Sequence, residues 1–316
     1  MIVSVIVITY NQAQFIGQAL QSVLDQKTTF PFEVLVGNDC STDESADVID
    51  QFRGDQRIRI IQRSCNLGAT KNLYDLQMRA KGKYLAYLEG DDYWSDPYKL
   101  QRQVEFLESH EDFVGCTHRC GIVDENGAPY KRQRLNWVCQ KRIYTLKDFK
   151  GLMLPGHGNA MVHRNIFQGS QGKYEALITL HPLIADRSLV LLLASMGPVF
   201  RFPERMGCYR IVQSGKGTNA TAVAYSGNVN RVWDDYKYTK TLERYAQEVL
   251  NVSGGFEYHK KELFVSAVFQ VLRQPTAENR AVAKKILNEG DRLAYLAYLP
   301  FGFLKKTGDK LLRRYA

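Results

Sequence analysis

Residues 2–10 read IVSVIVITY, a run in which every position but Ser4 is β-branched or apolar. Such a run has no polar alternation, which predicts a strand buried on both faces, as in a parallel sheet covered by helices. Working outward, the polar pair Asn11-Gln12 breaks the run, after which Phe15, Ile16, Ala19, Leu20, Val23 and Leu24 recur at helical spacing. FEVLV at 32–36 is a second apolar run, completing a β-α-β unit. The cycle repeats: Ser41-Thr42-Asp43 signals a helix over 43–52, then come a strand at 58–62, a helix at 69–80 and a strand at 83–88. Strands alternating with helices over this first stretch predict an open, doubly wound α/β sheet. Ligands of such sheets sit beyond the carboxyl ends of the strands, so the loops after Tyr10, Val36, Gln62 and Leu88 are expected to converge on one crevice.

The rest of the chain is read against that sheet. KLQRQVEFLESH at 99–110 predicts a surface helix, RSLVLLLASM at 187–196 a second, and the region through Met206 is expected to complete the sheet. Beyond about Thr218 the pattern becomes helical, over 229–250, 260–272 and 277–288, followed by a basic, aromatic tail, which predicts a helical appendage. A chain of 316 residues, 45% hydrophobic and 24% charged, can build a core without disulfides or structural metal. The six cysteines lack paired CxxC spacing and no secretory leader pattern opens the chain, so a reducing cytoplasm is the expected compartment. The longest apolar stretch, LAYLAYLPFGFL at 293–304, is too short to span a membrane and contains a proline and a glycine. The net charge of +9 suits a partner bearing phosphates, whether nucleic acid, nucleotide or anionic membrane, and charge alone does not choose among them.

The four sheet loops are unusually polar: Thr9-Tyr10-Asn11, Asn38 to Asp43, Arg63 to Gly68 and Glu89-Gly90-Asp91-Asp92-Tyr93-Trp94. Asp39 and Ser41 to Asp43 alone would read as an Asx-turn and helix cap, but their joint placement with the other loops favours a ligand site. A carboxylate after the second strand can accept hydrogen bonds from a nucleobase or ribose. Three acidic side chains at the end of the fourth strand repel one another unless a cation offsets them, and hard divalent cations take oxygen ligands of this kind. An acidic surface turn is the alternative. Arg63 and Lys71 suit the phosphates such a cation would bridge, or are ordinary solvated charges.

VSVIVITYNQAQFIGQALQSVLDQ, FEVLVGNDCSTDES, NLGATKNL and YLAYLEGDDYWSDPYKLQRQVEFLE, in that order, closely resemble the nucleotide-sugar-binding half of family 2 glycosyltransferases with the GT-A fold. The resemblance implies an open, mostly parallel Rossmann-like sheet flanked by helices over 1–217, divided into a nucleotide-sugar-binding half (1–98) and an acceptor-binding half (99–217). Residues 218–316 are expected to form the helical C-terminal region with its basic, aromatic tail. It maps Thr9, Tyr10, Asn11 and Asp39 to the nucleotide pocket. Cys40 stands where the family's second-loop motif usually has glycine. The family's metal motif falls on Glu89 to Asp92, implying Asp92 as ligand to Mn²⁺ or Mg²⁺, Asp91 near the ribose or donor sugar, and Glu89 in place of the usual first Asp. Glu89, Trp94 and His157 are expected near the acceptor or donor sugar.

More weakly, Pro155-Gly156-His157-Gly158-Asn159-Ala160 resembles the acceptor-side loop, and Ala185-Asp186-Arg187-Ser188-Leu189 the motif opening the acceptor helix. Asp186 would then be the catalytic base; a helix cap is its structural alternative. Ala185 replaces the Glu that often precedes it. Cys208-Tyr209-Arg210-Ile211 resembles the segment ending the catalytic part, but Val212 and Gln213 stand where a histidine often follows. His157, His163 and His181 show no metal spacing among themselves and read as surface or satisfied buried histidines rather than ligands, His157 standing apart because its loop should face the acceptor; Cys116, His118 and Cys120 read as a strand with buried thiols rather than a metal clip.

The resemblance implies an inverting, metal-dependent glycosyltransferase that moves a sugar from a nucleoside diphosphate donor, a UDP-sugar first, to a saccharide or lipid-linked saccharide. The pathway would be lipopolysaccharide, capsule or exopolysaccharide biosynthesis. A catalytically weak nucleotide-sugar-binding module or partner subunit is the rival, motivated by Glu89, Ala185 and Val212. A nucleic-acid binder has no motif here and an acidic rim, so affinity for DNA or RNA is expected to be negligible. The tail, with Lys305, Lys306, Lys310, Arg313 and Arg314, suits either the cytoplasmic face of an anionic inner membrane or packing on its own domain.

Overall fold

Three strands that bury nearly every side chain organise the first part of the chain. They are β1 (Val3–Thr9), β2 (Phe32–Asn38) and β4 (Tyr84–Glu89), with β3 (Ile58–Gln62) beyond β2. The computed structural model describes residues 1–131, 133–170, 174–212 and 231–315. β1 pairs in parallel with β2 and β4, Val5 facing Val34 on one side and Ala86 on the other, and β2 pairs in parallel with β3. Helices cover both faces as the run at 2–10 predicts. The helix α1 (Ala13–Leu24) buries Phe15, Ile16, Ala19, Leu20 and Val23, each core side chain contributing roughly 1.5–3 kcal/mol.

The helix expected over 43–52 is shorter, α2 (Ser45–Asp50), because the Asp43 carboxylate accepts from the amides of Ala13 at 3.0 Å and Ser45 at 3.0 Å, bracketing the starts of both helices. α3 (Ala69–Arg79) lies as expected, while β4 sits one residue later than 83–88, which makes Glu89 its last position.

The strand order is β3-β2-β1-β4-β8-β6-β9-β5. After β5 (Tyr93–Trp94) and α4 (Lys99–Ser109) the chain forms β6 (Gly115–Val123), β7 (Ile143–Tyr144), β8 (Val162–Arg164), the short helix α5 (Ala176–Leu180), α6 (Asp186–Met196) and β9 (Val199–Arg210). β8 inserts antiparallel between β4 and β6, with Ala86 facing Val162, so the loop before β8 lies beyond the carboxyl end of β4. β9 runs parallel to β6 and antiparallel to β5, Tyr93 facing Cys208, which draws Arg210 to the Asp91-Asp92 turn. The sheet is thus mixed, its long ladders parallel. β6 carries Cys116, His118 and Cys120, and all six cysteines are free.

Residues 149–152 belong with the C-terminal helices in a second compact unit. Those helices are α7 (Arg231–Glu248), α8 (Phe256–Arg273), α9 (Ala277–Glu289) and α10 (Arg292–Tyr315). The expected junction at 217/218, and Val229 at the expected start of the first helix, lie outside the described residues. This unit has its own core, built from Val232, Tyr236, Leu263, Phe264, Ala267, Val282, Ile286 and Tyr295. Along α10, Phe303 stacks on Phe269 at 4.3 Å and Gly302 presses against α8, where a Cβ would stand 2.5 Å from Val265. Lys305 reaches Tyr258 and Glu262, and Lys306 reaches Ser266, so both point along the packed side. Leu293, Leu296, Phe301 and Leu304 remain 48–81% exposed on α10. The side chains of Lys310, Arg313 and Arg314 lie outside the described residues. Among the described residues no helix is long and apolar enough to cross a membrane.

Candidate active site

The four polar loops meet where the parallel strands end, and backbone hydrogen bonds fix them to one another. Asn11, at φ 53°, accepts from the Thr42 amide at 2.7 Å and donates its own amide to the Ser41 hydroxyl at 3.0 Å. Gln12 donates its amide to the Ser45 hydroxyl at 2.9 Å. The first two loops therefore form one ledge, with Tyr10 43% exposed at its edge. Thr9 is buried and donates to Gln12 Oε1 at 2.9 Å. Gly90 passes so close that a Cβ would stand 2.4 Å from Gln12 Oε1 and 2.7 Å from Thr9 Oγ1.

Asp39, also buried, accepts from the amides of Leu67 at 2.8 Å and Gly68 at 2.9 Å, and so holds the third loop against the second. Of the basic residues expected near phosphate, Arg63 is engaged within its own element pair: it meets Asp75 at 2.6 Å and Asn72 at 3.1 Å. Lys71 is exposed on α3. Trp94, expected beside the sugar, is turned into the core instead. It is 4% exposed, donates its indole N–H to the Asn159 carbonyl at 2.9 Å and lies under the Lys99 ammonium at 4.1 Å, because β5 pairs with β9 and directs the ring inward.

The acidic turn is the electrostatic centre. Asp92 is 1% exposed, and its carboxylate accepts from the Arg210 amide at 2.9 Å and the Asn159 side-chain amide at 2.8 Å. Burial first, then repulsion from Asp91 and Glu89, still raises its carboxyl well above the usual range. Glu89 opens to solvent at the end of β4 but is recessed among other groups. Desolvation, with Asp91 and Asp186 adding repulsion, pushes it up to about 8. Asp186 starts α6 and accepts from the Arg187 amide at 2.7 Å, and it too is raised, by burial against the opposing pull of Arg187. Its approach follows from the 181–185 segment docking on α3, where Thr70 donates to the carbonyls of His181 and Pro182.

His157 completes the cluster. Its Nδ1 lies 3.5 Å from Asp92 Oδ2, its ring packs 4.3 Å from Tyr209, and burial holds its value down to about 4, so the contact is between a neutral imidazole and a carboxyl group rather than an ion pair. Glu89, Asp92 and His157 each offer a ligand atom within 4.8 Å of the others. Two carboxylates that repel each other when ionised, with a neutral imidazole nitrogen beside them, fit a divalent cation.

Sequence reasoning names Asp92, Glu89, His157 and Asp186, but not the pairing of His157 with Asp92 or the groups that orient Asp92. Asn159 carries no role in that reading beyond its place in the 155–160 loop. Its signal is a carboxamide preceding an apolar strand in a Gly-rich segment, a side chain that must find partners if buried. Arg210 is the other missed group. Its guanidinium, stacked 4.6 Å from Phe15, donates to the Asp91 carbonyl at 2.8 Å and to Gln18 at 2.6 Å, bracing the turn from behind.

A mixed, mostly parallel α/β sheet with an acidic turn at the end of β4 and a second carboxylate opening a helix close by defines a protein of the GT-A class. The chain matches the family described as Glycosyl transferase family 2 over residues 4–169. It is 38% identical over 98% of its length to an uncharacterized glycosyltransferase of Nostoc sp., covering 96% of that protein. The chain belongs to glycosyltransferase family 2. It is 41% identical to an uncharacterized protein of Mycobacterium tuberculosis over 40% of the chain, a match spanning 37% of that relative's length. It is 37% identical to the putative teichuronic acid biosynthesis glycosyltransferase TuaG of Bacillus subtilis over 34% of the chain and 42% of TuaG. In fold it resembles S. aureus TarS 1–349, solved in complex with UDP-GlcNAc, at a TM-score of 0.65 and 17% identity over 92% of this chain and 80% of that one.

Proposed function

We propose that the protein is an inverting, metal-dependent glycosyltransferase that takes a sugar from a UDP-sugar and adds it to a saccharide hydroxyl in the assembly of a surface polysaccharide. The observation that carries this reading is the set Glu89, Asp92 and His157 at the end of β4, with Asp186 close enough to raise Glu89. Family membership supports the transferase class, the TarS complex supports a uridine donor, and TuaG supports a polysaccharide pathway.

The ledge of Thr9, Tyr10, Asn11 and Asp39 would seat the nucleoside, with Asp91 toward the ribose. Glu89, Asp92 and His157 would hold Mn²⁺ or Mg²⁺, which when bound offsets the charge of the departing diphosphate. Asp186 takes the proton from the acceptor hydroxyl as that oxygen attacks the anomeric carbon. The bond to the diphosphate breaks on the opposite face, so the anomeric configuration inverts. A raised carboxyl at Asp186 suits a base, since its conjugate acid is then a stable resting place for the proton. The exposed apolar residues of α10 support peripheral attachment to an anionic membrane face.

A panel of nucleotide sugars with Mn²⁺, read by release of nucleoside diphosphate, tests the reading. Chelator-sensitive release from a UDP-sugar, lost in Asp92→Asn and Asp186→Asn, is expected. A product that retains the donor's anomeric configuration by NMR would remove Asp186 from the role of base.

A further inference from the structure

Beside the cation cluster, and sharing His157 as a wall, lies a second recess of about 330 Å³. Three arginines, Arg119, Arg134 and Arg201, line it together with His118, Gln133 and Gln140, and no acidic side chain does so among the described residues. One of its donors is buried without a partner: Arg201 is 9% exposed with none at Nε, whereas His118, 1% exposed, donates its Nδ1–H to the Arg119 carbonyl at 2.8 Å, which leaves Nε2 an acceptor. The Arg201 guanidinium has one long contact, from Nη2 to Gln140 Oε1 at 3.4 Å. Burial, together with repulsion from Arg119 and Arg134, depresses Arg201 below its ordinary value. Lys99, wholly buried and without a hydrogen-bond partner at Nζ, lies over Trp94 rather than in the recess, and burial pushes it down to about 7. A buried donor left unpaired costs roughly 1–3 kcal/mol and more when charged, so the Arg201 Nε–H, in a recess also lined by Arg119 and Arg134, is suited to an incoming acceptor atom.

We infer that this recess binds a phosphate group carried by the acceptor, placing a phosphorylated saccharide or lipid phosphate against the transfer centre. This rests on the glycosyltransferase reading for the word acceptor, while the anion site stands on its own geometry. Planar guanidinium forks match tetrahedral phosphate oxygens, and three of them around one recess exceed what a single carboxylate requires. The shared wall at His157 sets the bound phosphate next to the cation cluster, so recognition of the acceptor's charge and positioning of its hydroxyl take place in one connected space.

The test is calorimetric titration of inorganic phosphate into the full chain under chelator, comparing wild type with Arg119→Gln/Arg134→Gln, two exposed positions, and with Arg201→Lys. Saturable binding that weakens at least tenfold in the double variant, weakens with salt and survives saturating UDP is expected. Equal binding to wild type and double variant, displacement by UDP, or glucuronate binding as tightly as phosphate would overturn the proposal. Geranyl phosphate and glucose 6-phosphate separate the sources: tighter, arginine-dependent capture of either one supports the site and says which acceptor supplies the phosphate. A parallel titration of UDP with Mn²⁺ keeps the readings apart. UDP bound by the double variant as by wild type shows an intact fold, so a loss of phosphate binding there belongs to the pocket. Failure of UDP to bind any of the proteins sinks the transferase reading while leaving the phosphate result to decide the recess.

Discussion

Asp92 is a carboxylate oriented by the Arg210 amide and the Asn159 side chain, neither of which need touch the cation. Such outer partners typically account for 10–100-fold in metal affinity, so Asn159→Ala should weaken Mn²⁺ binding by about that factor in a direct titration. The raised carboxyls have a second consequence. Glu89 moves from an ordinary 4.5 to about 8 on folding, and Asp92 shifts the same way. The folded, metal-free chain therefore holds more protons than the unfolded one. Stability from these groups is fullest below the unfolded value and declines as pH rises toward about 8. Tm measured under chelator should fall between pH 5 and 8, and added Mn²⁺ should restore more of it at the higher pH, because cation binding needs the ionised carboxylates. At Cys40 the backbone has φ 61°, a left-handed conformation that costs a side-chain-bearing residue roughly 1–2 kcal/mol. Cys40→Gly, which restores the residue the family motif usually has there, should raise stability in a urea titration by up to ~1 kcal/mol after the entropy of glycine is subtracted.

The loops act as one element because Asp39 ties the second to the third through two amides. Asp39→Ala leaves both N–H groups without that partner. The loss should be about 2–3 kcal/mol by denaturation, with a higher KM for the donor, since the ledge loses its support. How much of this could be read in advance follows from range. β1, β2 and β4 are legible at residues 2–10, 32–36 and 83–88 because strands buried on both faces need uninterrupted apolar runs, and the loops between them follow from their ends. β8 is three residues long and β9 carries Pro203, Glu204 and Arg205 mid-strand, so neither has a local signature. Their positions come from pairing with strands far away in sequence. For the same reason Asp92 and Asp186 are visible as motifs, whereas the approach of His157 to Asp92 depends on β8 lying antiparallel to β4. An aromatic residue after an acidic turn has the same local pattern whether it faces a ligand or, like Trp94, packs in the core.

At the scale of the whole molecule, two units each carry a core of their own. In the helical unit α10 uses one side for packing and leaves Leu293, Leu296, Phe301 and Leu304 open to water. Each such side chain gains roughly 1.5–3 kcal/mol when fully buried, so Leu293→Ser/Leu304→Ser should cut flotation with anionic vesicles by tenfold or more if α10 lies at the bilayer surface. Because Lys305 and Lys306 are engaged with Tyr258, Glu262 and Ser266, neutralising those two should matter less than removing the leucines. In the sheet unit, the ligand atoms of the cation cluster stand at residues 89, 92 and 157. An ion gripping them closes a ring of backbone that contains α4, β6, β7 and the loop bearing Arg134. It would then be a reversible crosslink as well as a chemical aid, and its release would slacken the arginine-bearing segment, so that the grip on the donor side and the shape of the neighbouring recess would rise and fall together.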